Sequence, residues 1–300
     1  MKKLFVLYFI ASLFPFCNSY AVETKDRVSL LLLDLQNHDS NNVMICAHRG
    51  DRRVKPENSL AGLKYCIKKK YDIIEIDLQK TKDGNFIIHH DIKLGRTTTG
   101  SGFIKDLTLS QIKNETILDF YGKRTKERIP TLEEFLKNAK GKILVQIDKW
   151  NNENLPEILS IIENEGCLNQ CIFRSTKRFS EIQRIFGSYL DQIIYIPVVK
   201  AENPNAETIL QEFIDGMRSM QVVSVMFSNE KLPMVEKLHQ LSKKYKVWLN
   251  AILEETCCAG HGDKKSAMNP EDGYGWLIKK GASIIFTDDA SHLRSYLKTK

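Results

Sequence analysis

Short apolar, β-rich runs alternate with longer amphipathic stretches along the chain after residue 42. The strand candidates are each four to six residues long and lie at Val43–Cys46, Ile73–Leu78, Phe86–His89, Ile143–Ile147, Cys171–Arg174, Ile193–Pro197, Val222–Phe227, Tyr245–Asn250 and Ser283–Thr287. Helical periodicity separates most of them, as at Ser59–Lys70, Leu132–Ala139, Ser180–Phe186, Ala206–Met217 and Lys231–Lys244. This alternation predicts a parallel sheet covered by helices.

One connection is too short for a parallel crossover, because only a turn that ends in Asp83-Gly84 separates the second and third strand candidates. Asp-Gly is a hairpin signal, whereas parallel neighbours need a dozen or more residues between them. We therefore predict that Phe86–His89 runs antiparallel. Eight strands then remain for an α/β fold of the (β/α)8 TIM-barrel type, with a β-hairpin and an irregular subregion at Arg96–Gly122 inserted after strand two. The alternative is an open doubly wound sheet, but the sequence has no glycine-rich turn after the first strand, which that fold commonly carries.

The N-terminal residues have the pattern of a secretory signal peptide. Two lysines precede the short apolar run Leu4–Phe16, and Ser19 and Ala21 supply small residues at the −3 and −1 positions of a cleavage site. The apolar run is too short to span a bilayer. We therefore predict a signal peptide over residues 1–21 and export of the chain to the periplasm or the exterior.

The rest of the chain is predicted to form a lead-in and one barrel domain. Residues 22–42 include a short helix with an apolar face at Arg27–Gln36, and residues 43–300 make up the barrel. Loss of the leader lowers the formal net charge from +7 to +5, and the lysines are dispersed. Dispersed charge favours a solvated surface over a nucleic-acid patch. We expect no nucleic-acid partner and no stable membrane anchor, and the oligomeric state stays open.

Acidic side chains in the second strand predict a metal site. In TIM barrels the active site lies at the C-terminal ends of the strands, where His48 and Arg49 follow the first strand. Glu75 and Asp77 alternate with apolar neighbours, so both should point into the barrel, and Asp148 ends the next barrel strand. Oxygen ligands suit Mg²⁺ or Ca²⁺, so the pattern predicts one divalent cation. The alternative is a set of salt-bridged and solvated acids.

Two histidines and an arginine beside these acids indicate phosphodiester chemistry. One histidine, His48, and a second, His90, can take a proton from a nucleophile and give one to a leaving group. Arg49 can bind phosphate oxygens with two parallel hydrogen bonds. Since neighbouring side chains of a strand point in opposite directions, only one of His89 and His90 should enter the site.

Several short motifs in a fixed order resemble those of the glycerophosphodiester phosphodiesterases. They cover about residues 43–298 and are His48-Arg49-Gly50, Pro56-Glu57-Asn58-Ser59, Ile74-Glu75-Ile76-Asp77 with Thr81-Lys82-Asp83-Gly84, His90-Asp91, the block from Gly95 to Gly102, Ile129-Pro130-Thr131-Leu132-Glu133-Glu134, and Thr287-Asp288 with Leu293–Leu297. Each motif is weak alone, but the ordered set is specific. The resemblance implies a (β/α)8 barrel, a single divalent cation, and hydrolysis of glycerophosphodiesters to glycerol 3-phosphate and an alcohol.

The resemblance also implies roles for individual residues. His48 and His90 match the family's acid/base pair, Arg49 its phosphate ligand, and Glu75 with Asp77 two metal ligands. Asp148 stands where the family usually has a third metal-ligand glutamate, so this chain resembles a variant subfamily. The family's phosphate-binding lysine is matched one residue early by Lys149, which strand alternation directs away from Asp148.

Further residues are candidates for the substrate pocket. They are Glu57, Lys149, Trp248, His261 and Asp263, which lie in the matching motifs or just after the ends of later strands. A buried core position is the alternative for Trp248, and a surface loop without a role is the alternative for His261 and Asp263. Asp288 and Asp289 are expected to form the N-cap of the last helix and its neighbour.

The sequence is also compatible with two other functions. The same barrel could carry a phospholipase of the phosphatidylinositol-specific or sphingomyelinase D type, although the sequence shows no obvious exposed apolar loop for membrane docking. A binding module that captures phosphate esters without turnover is the second alternative. The leading interpretation is a metal-dependent hydrolase of lipid metabolism whose partner is a small-molecule glycerophosphodiester.

Overall fold

The computed structural model describes residues 26–218 and 220–300. The predicted signal peptide, residues 1–21, lies outside the described residues. Within the described part of the chain, no helix is both long enough and apolar enough to cross a bilayer.

The strands of the described residues form one large sheet and two small ones. In chain order they are β1 (Met44–Ala47), β2 (Ile73–Lys80), β3 (Phe86–Ile88), β4 (Lys93–Leu94), β5 (Gly102–Phe103), β6 (Thr116–Leu118), β7 (Arg124–Arg128), β8 (Leu144–Asp148), β9 (Cys171–Ser175), β10 (Ile194–Lys200), β11 (Val222–Met226), β12 (Lys246–Asn250) and β13 (Ala282–Thr287). Every strand predicted from the sequence is present, with ends that differ by a few residues.

The large sheet closes into a parallel barrel. Its order is β1-β13-β12-β11-β10-β9-β8-β2-β3, and β1 also pairs with β2 to complete the ring. The eight ring strands are parallel, whereas β3 pairs antiparallel with β2, with Leu78 opposite Ile88. The predicted (β/α)8 barrel and its antiparallel return strand are therefore confirmed.

Most helices connect the ring strands and cover their outer face. In chain order they are α1 (Arg27–Gln36), α2 (Leu60–Lys68), α3 (Leu109–Lys113), α4 (Leu132–Ala139), α5 (Leu155–Asn164), α6 (Phe179–Phe186), α7 (Ala206–Gly216), α8 (Pro233–Glu236), α9 (Leu238–Leu241), α10 (Glu254–Cys257), α11 (Asp263–Met268), α12 (Trp276–Lys279) and α13 (Ala290–Leu297). Helix α1 precedes the first strand, and α3 lies in the inserted subregion. The helix expected at Arg27–Gln36 has the predicted bounds. The prediction of a single helix at Lys231–Lys244 is wrong, because the helix is interrupted at Lys237 and two short helices form instead.

The apolar interior of the barrel is sealed at its N-terminal end by α1. Apolar side chains from every ring strand meet those of α1 in one cluster, which comprises Val28, Leu31, Leu35, Met44, Cys46, Ile73, Leu144, Ile172, Ile196, Val222, Trp248, Ile284 and Phe286. Lys246 is fully buried in this region, and its Nζ lies 3.3 Å from Asp34 Oδ1 of α1. The N-terminal end of the barrel is therefore an apolar core that also holds this lysine–aspartate pair.

The subregion inserted after strand two is more regular than predicted. The stretch Arg96–Gly122, expected to be irregular, contains β5, α3 and β6. Its strand β5 pairs antiparallel with β4 just before the stretch, and β6 pairs antiparallel with β7 just after it. Its apolar side chains form a small cluster of their own around Ile112 and Ile129. The six cysteines of the described residues are buried and free.

Candidate active site

Three carboxylates converge at the mouth of the barrel. Glu75 and Asp77 point inward from β2, and Asp148 ends β8, where it is the direct register partner of Asp77. One oxygen from each residue lies within 4.8 Å of the others. Glu75 and Asp77 are buried, with 1% and 2% of their surface exposed. Their apolar neighbours Ile74 and Ile76 point outward to the helices, as the alternation predicts.

The electrostatics of this cluster fit a bound cation. Burial, and then the charges of Asp77 and Asp148, raise the pKa of Glu75 well above its usual value. Oε1 of Glu75 is buried and has no hydrogen-bond partner among the described residues. An unpartnered buried carboxylate oxygen beside two other carboxylates is costly, and a divalent cation with oxygen ligands removes that cost. The residues present therefore fit such an ion.

A left-handed turn after β1 ties Arg49 to these acids. Arg49 has φ +57°, and its backbone N–H donates to Glu75 Oε2 at 2.9 Å. Its side chain contacts Asp77 Oδ2 at 3.3 Å and Glu57 Oε1 at 3.2 Å. Asn58, also left-handed at φ +53°, donates from Nδ2 to Asp77 at 2.9 Å. Backbone strain of this kind concentrates at functional sites.

His48 is held by a carboxylate from the opposite end of the chain. Its Nδ1 lies 2.7 Å from Oδ1 of Asp288, the residue that follows β13. Burial opposes ionisation of Asp288, but the hydrogen bond from His48 and the charges of His48, Arg52 and Arg49 together outweigh burial and lower the pKa of Asp288. An ionised carboxylate only accepts, so Nδ1 carries the hydrogen and Nε2 has the free lone pair. That Nε2 accepts from Arg49 Nε at 3.2 Å and lies 3.9 Å from Glu75.

His90 is supported in a similar way, by Asp91 and by Arg96 of the inserted subregion. Its Nδ1 lies 2.5 Å from Asp91 Oδ1, and Arg96 Nε donates to the other oxygen of Asp91 at 2.7 Å. Arg96 also donates to Glu57 Oε1 at 2.8 Å. His90 lines the cleft, whereas His89 is buried and its Nδ1 contacts a backbone carbonyl. Only one of the two neighbouring histidines therefore reaches the site.

A cleft of about 530 Å³ opens above these residues. It is lined by most of the candidates, namely His48, Arg49, Asp77, His90, Asp148 and Lys149, together with Arg52, Arg174, Asn250 and Asp288. Lys149 departs from the prediction that it points away. It has φ +60°, so the chain leaves the strand conformation there and strand alternation ends at Asp148.

The other pocket candidates lie away from the cleft. Trp248 is fully buried, and its Nε1 donates to Asn250 at 2.9 Å. It is therefore a core residue, which was the alternative to the expected role in the substrate pocket. His261 stacks on Trp276 at 3.8 Å between ring centroids. Asp263 accepts from Thr287 Oγ1 at 2.6 Å and from the backbone of Asp288, so it supports the loop behind His48.

Glu57 lies beneath the cleft and joins Arg49 to Arg96. Burial disfavours its charge, but hydrogen bonds from Arg96 and the charge of Arg49 outweigh burial and lower the pKa of Glu57. Its carboxylate is therefore a link between two parts of the site, rather than a wall of the pocket.

The sequence does not predict the contributions of Asp288 and Arg174 to the site. Asp289 is the N-cap of the last helix and Asp288 is its neighbour, as expected, but no sequence pattern indicates the contact of Asp288 with His48. Arg174, the penultimate residue of β9, lines the cleft, stacks on Trp248 at 4.1 Å and donates to Ser224 at 2.8 Å. Burial lowers the pKa of Arg174 to about 10, and its Nε lacks a partner in the described part of the chain. The inward position of Arg174 on its strand was the available signal.

Comparisons with known proteins agree with this arrangement. Residues 48–289 match the profile of the Glycerophosphoryl diester phosphodiesterase family. A glycerophosphodiester phosphodiesterase of Caldanaerobacter subterraneus subsp. tengcongensis is 46% identical over 92 residues, which are 30% of this chain and 38% of that protein. The Bacillus subtilis protein YhdW is 38% identical over 151 residues, 46% of this chain and 61% of its own length. The matches thus span only part of these relatives.

Solved structures share the fold over most of the chain. A glycerophosphoryl diester phosphodiesterase from Parabacteroides distasonis superposes with a TM-score of 0.72 at 21% identity, and covers 91% of this chain and 92% of its own. An Oleispira antarctica phosphodiesterase, solved with its product sn-glycerol-3-phosphate, has a TM-score of 0.63 at 20% identity and covers 87% and 99%. Both are similar to this chain in fold.

Proposed function

The chain belongs to the glycerophosphoryl diester phosphodiesterase family, and on that basis we propose that it hydrolyses glycerophosphodiesters to glycerol 3-phosphate and an alcohol. The observation that carries the proposal is the convergence of Glu75, Asp77 and Asp148 beside two carboxylate-supported histidines at one cleft. The product in the Oleispira antarctica relative of the same fold is consistent with this substrate class.

We propose that Glu75, Asp77 and Asp148 hold one divalent cation, Mg²⁺ or Ca²⁺. Their donors are all oxygens, as these ions prefer. When bound, such an ion polarises the phosphoryl group and offsets the charge that develops there. Asp148 is shorter than the glutamate it replaces in the family pattern, and its register pairing with Asp77 supports a place in the same ligand set.

The protein's own groups would move two protons. His48 has its free lone pair at Nε2, so it is suited to take the proton of the attacking hydroxyl, from water or from the substrate. As the new P–O bond forms and the old one breaks, His90 would give a proton to the leaving alcohol oxygen, and Asp91, 2.5 Å from Nδ1, would orient the ring for that transfer. Arg49 would bind the phosphate oxygens between them.

A substrate panel tests the proposal. The chain is assayed for release of glycerol 3-phosphate from several glycerophosphodiesters and for cleavage of intact phospholipids, with Mg²⁺, Ca²⁺, Mn²⁺ and Zn²⁺ in turn. We expect hydrolysis of at least one soluble diester. His48→Ala should lower the rate by about 100-fold or more, whereas the exposed His38→Ala should not.

The same panel distinguishes the alternatives. Cleavage of intact phospholipids alone would favour the phospholipase interpretation. Tight binding of glycerol 3-phosphate without turnover by any of the metals would favour a binding module. Either result would overturn the proposed reaction.

We also propose that the chain is exported after removal of residues 1–21. The two N-terminal lysines, the apolar run Leu4–Phe16 and the small residues Ser19 and Ala21 support this proposal. Expression with the native N-terminus in a bacterial host, followed by intact-mass measurement, should give a chain that begins at Val22. A mature chain that still begins at Met1 would contradict it.

A further inference from the structure

The β6–β7 hairpin of the inserted subregion ends in two exposed aromatic side chains. Phe120 is 51% exposed and Tyr121 83% exposed. Their rings meet edge to face with centroids 5.4 Å apart, so each ring packs on the other. Asp119 Oδ1 accepts from the backbone N–H groups of Tyr121 and Lys123 and thereby fixes the turn. The result is an ordered aromatic tip that faces solvent.

The second strand of this hairpin carries cations on its exposed face. Arg124, Lys126 and Arg128 are alternate residues of β7, and all three are exposed. Alternate residues of a strand point to the same side, so these three side chains form one row. Lys123, also exposed, lies in the chain between that row and the aromatic tip. Within the described part of the chain, none of the four makes a salt bridge to an acid.

The two acids of the hairpin do not neutralise this row. Asp119 is occupied by the backbone of the turn. Glu127 points to the other side of β7 and accepts from the backbone N–H of Ala61, at the start of α2. The hairpin therefore presents aromatic and cationic side chains outward and keeps its carboxylates against the protein.

This hairpin lies at the same end of the barrel as the active-site cleft. The contact of Glu127 with Ala61 places it beside the N-terminus of α2, the helix that follows β1 and the His48 loop. The same subregion contributes Arg96, which contacts Glu57 beneath the cleft. A surface that bound this hairpin would lie near the mouth of the barrel.

We propose that the tip and the cationic row of the β6–β7 hairpin dock the protein on a membrane rich in anionic lipids. Phenylalanine and tyrosine rings partition to the headgroup level of a bilayer, and lysine and arginine are attracted to anionic headgroups. Single-stranded nucleic acid is disfavoured as the occupant, because its sites place successive aromatics along a concave groove. Here the aromatics form one convex tip. Sequence alone reveals no docking loop, because two adjacent aromatics in a polar turn make no apolar run.

Vesicle co-sedimentation of the full chain tests the proposal without reference to hydrolysis. Vesicles of neutral phosphatidylcholine are compared with vesicles that also contain phosphatidylglycerol. One variant removes the tip (Phe120→Ser with Tyr121→Ser) and another removes the three cations nearest the tip (Lys123→Gln, Arg124→Gln and Lys126→Gln). Matched controls remove the exposed Met268 (Met268→Ser) or three other exposed lysines (Lys243→Gln, Lys244→Gln and Lys279→Gln). All variants retain the N-terminal leader, so its contribution is common to all of them.

We expect binding to the anionic vesicles that weakens about tenfold or more in each hairpin variant and less than about twofold in the controls. Thermal unfolding midpoints should be unchanged, since every altered side chain is exposed. Equal binding by hairpin variants and controls would overturn the proposal. It would also be overturned if the chain bound single-stranded oligonucleotide more tightly than anionic vesicles, or bound neutral and anionic vesicles alike.

Discussion

At the scale of single residues, the support of His48 by Asp288 governs its tautomer. Asp288→Asn can donate to Nδ1 as well as accept from it, and would then place the hydrogen on Nε2, where a base needs its lone pair. We expect kcat to fall by about 100-fold with little change in KM, and the acidic limb of the pH profile to change. Steady-state kinetics across pH measures this.

Asp289→Asn is the matched control, because Asp289 lies in the same loop but caps α13. Asparagine also caps helices well, so both stability and kcat should stay close to those of the wild type. An equal loss of kcat in the two variants would show that the loop, rather than the tautomer of His48, is responsible.

The buried carboxyl group of Asp263 should make the free energy of unfolding depend on pH. Burial raises the pKa of Asp263 to about 6. The folded state thus holds this proton more tightly than the unfolded chain, whose pKa is about 4. The stabilisation from Asp263 is complete below pH 4 and is lost as the pH rises through 6, which amounts to up to about 3 kcal/mol.

Urea unfolding of the wild type and of Asp263→Asn measures this effect. The stability of the variant relative to the wild type should rise between pH 4 and pH 7, because asparagine does not titrate. A constant difference across that range would mean that Asp263 ionises as freely in the folded protein as in the unfolded one.

The site residues that sequence could predict are those joined to a local pattern. Glu75 and Asp77 are two residues apart on one strand, and His48 and Arg49 directly follow another. The partnership of His48 with Asp288 joins positions 240 residues apart, so no local pattern contains it. The direction of the Lys149 side chain was predicted wrongly, because Lys149 itself has a left-handed backbone and strand alternation ends before it.

At the scale of elements, α1 closes the barrel with an ion pair between its half-buried Asp34 and the buried Lys246. Asp34 lies 3.3 Å from the fully buried Nζ of Lys246. Asp34→Ala would leave that charge unpaired and should lower the free energy of unfolding by about 3 kcal/mol. Lys246→Met removes the charge while it fills the space, so it should cost less than about 1 kcal/mol.

Urea unfolding of both variants and of the double variant checks this expectation. The double variant should recover most of the stability that Asp34→Ala loses. The exposed Asp39→Ala after α1 is the control and should have no effect. If Asp34→Ala were as stable as Asp39→Ala, α1 would not seal the barrel through this pair.

Predicted elements are correct where an apolar run is long enough to define a period. The ring strands have such runs, and the Asp-Gly turn identifies the antiparallel return of β3. The β4–β5 and β6–β7 pairs have strands of two to five residues, and β7 is polar throughout. Their pairing depends on backbone contacts with the rest of the insertion, which composition does not indicate.

At the scale of the whole molecule, the fold and the chemistry occupy different ends of one barrel. Apolar layers and α1 fill the N-terminal half, which also holds the Lys246–Asp34 pair, whereas the acids, histidines and arginines of the site lie at the C-terminal mouth. Three carboxylates close together there are tolerable only with a cation or with retained protons. Metal binding and catalysis are therefore expected to depend on each other.

Metal-dependent hydrolysis at the three carboxylates is tested by the rate of glycerol 3-phosphate release as the divalent cation is removed and returned. Turnover should be lost in the chelated protein and should recover with Mg²⁺ or Ca²⁺. The turnover of Glu75→Gln should be lower by about 100-fold or more at any concentration of ion, whereas the exposed Asp106→Asn should behave as the wild type. Undiminished turnover by the chelated protein, or by Glu75→Gln, would show that hydrolysis needs no cation at these carboxylates.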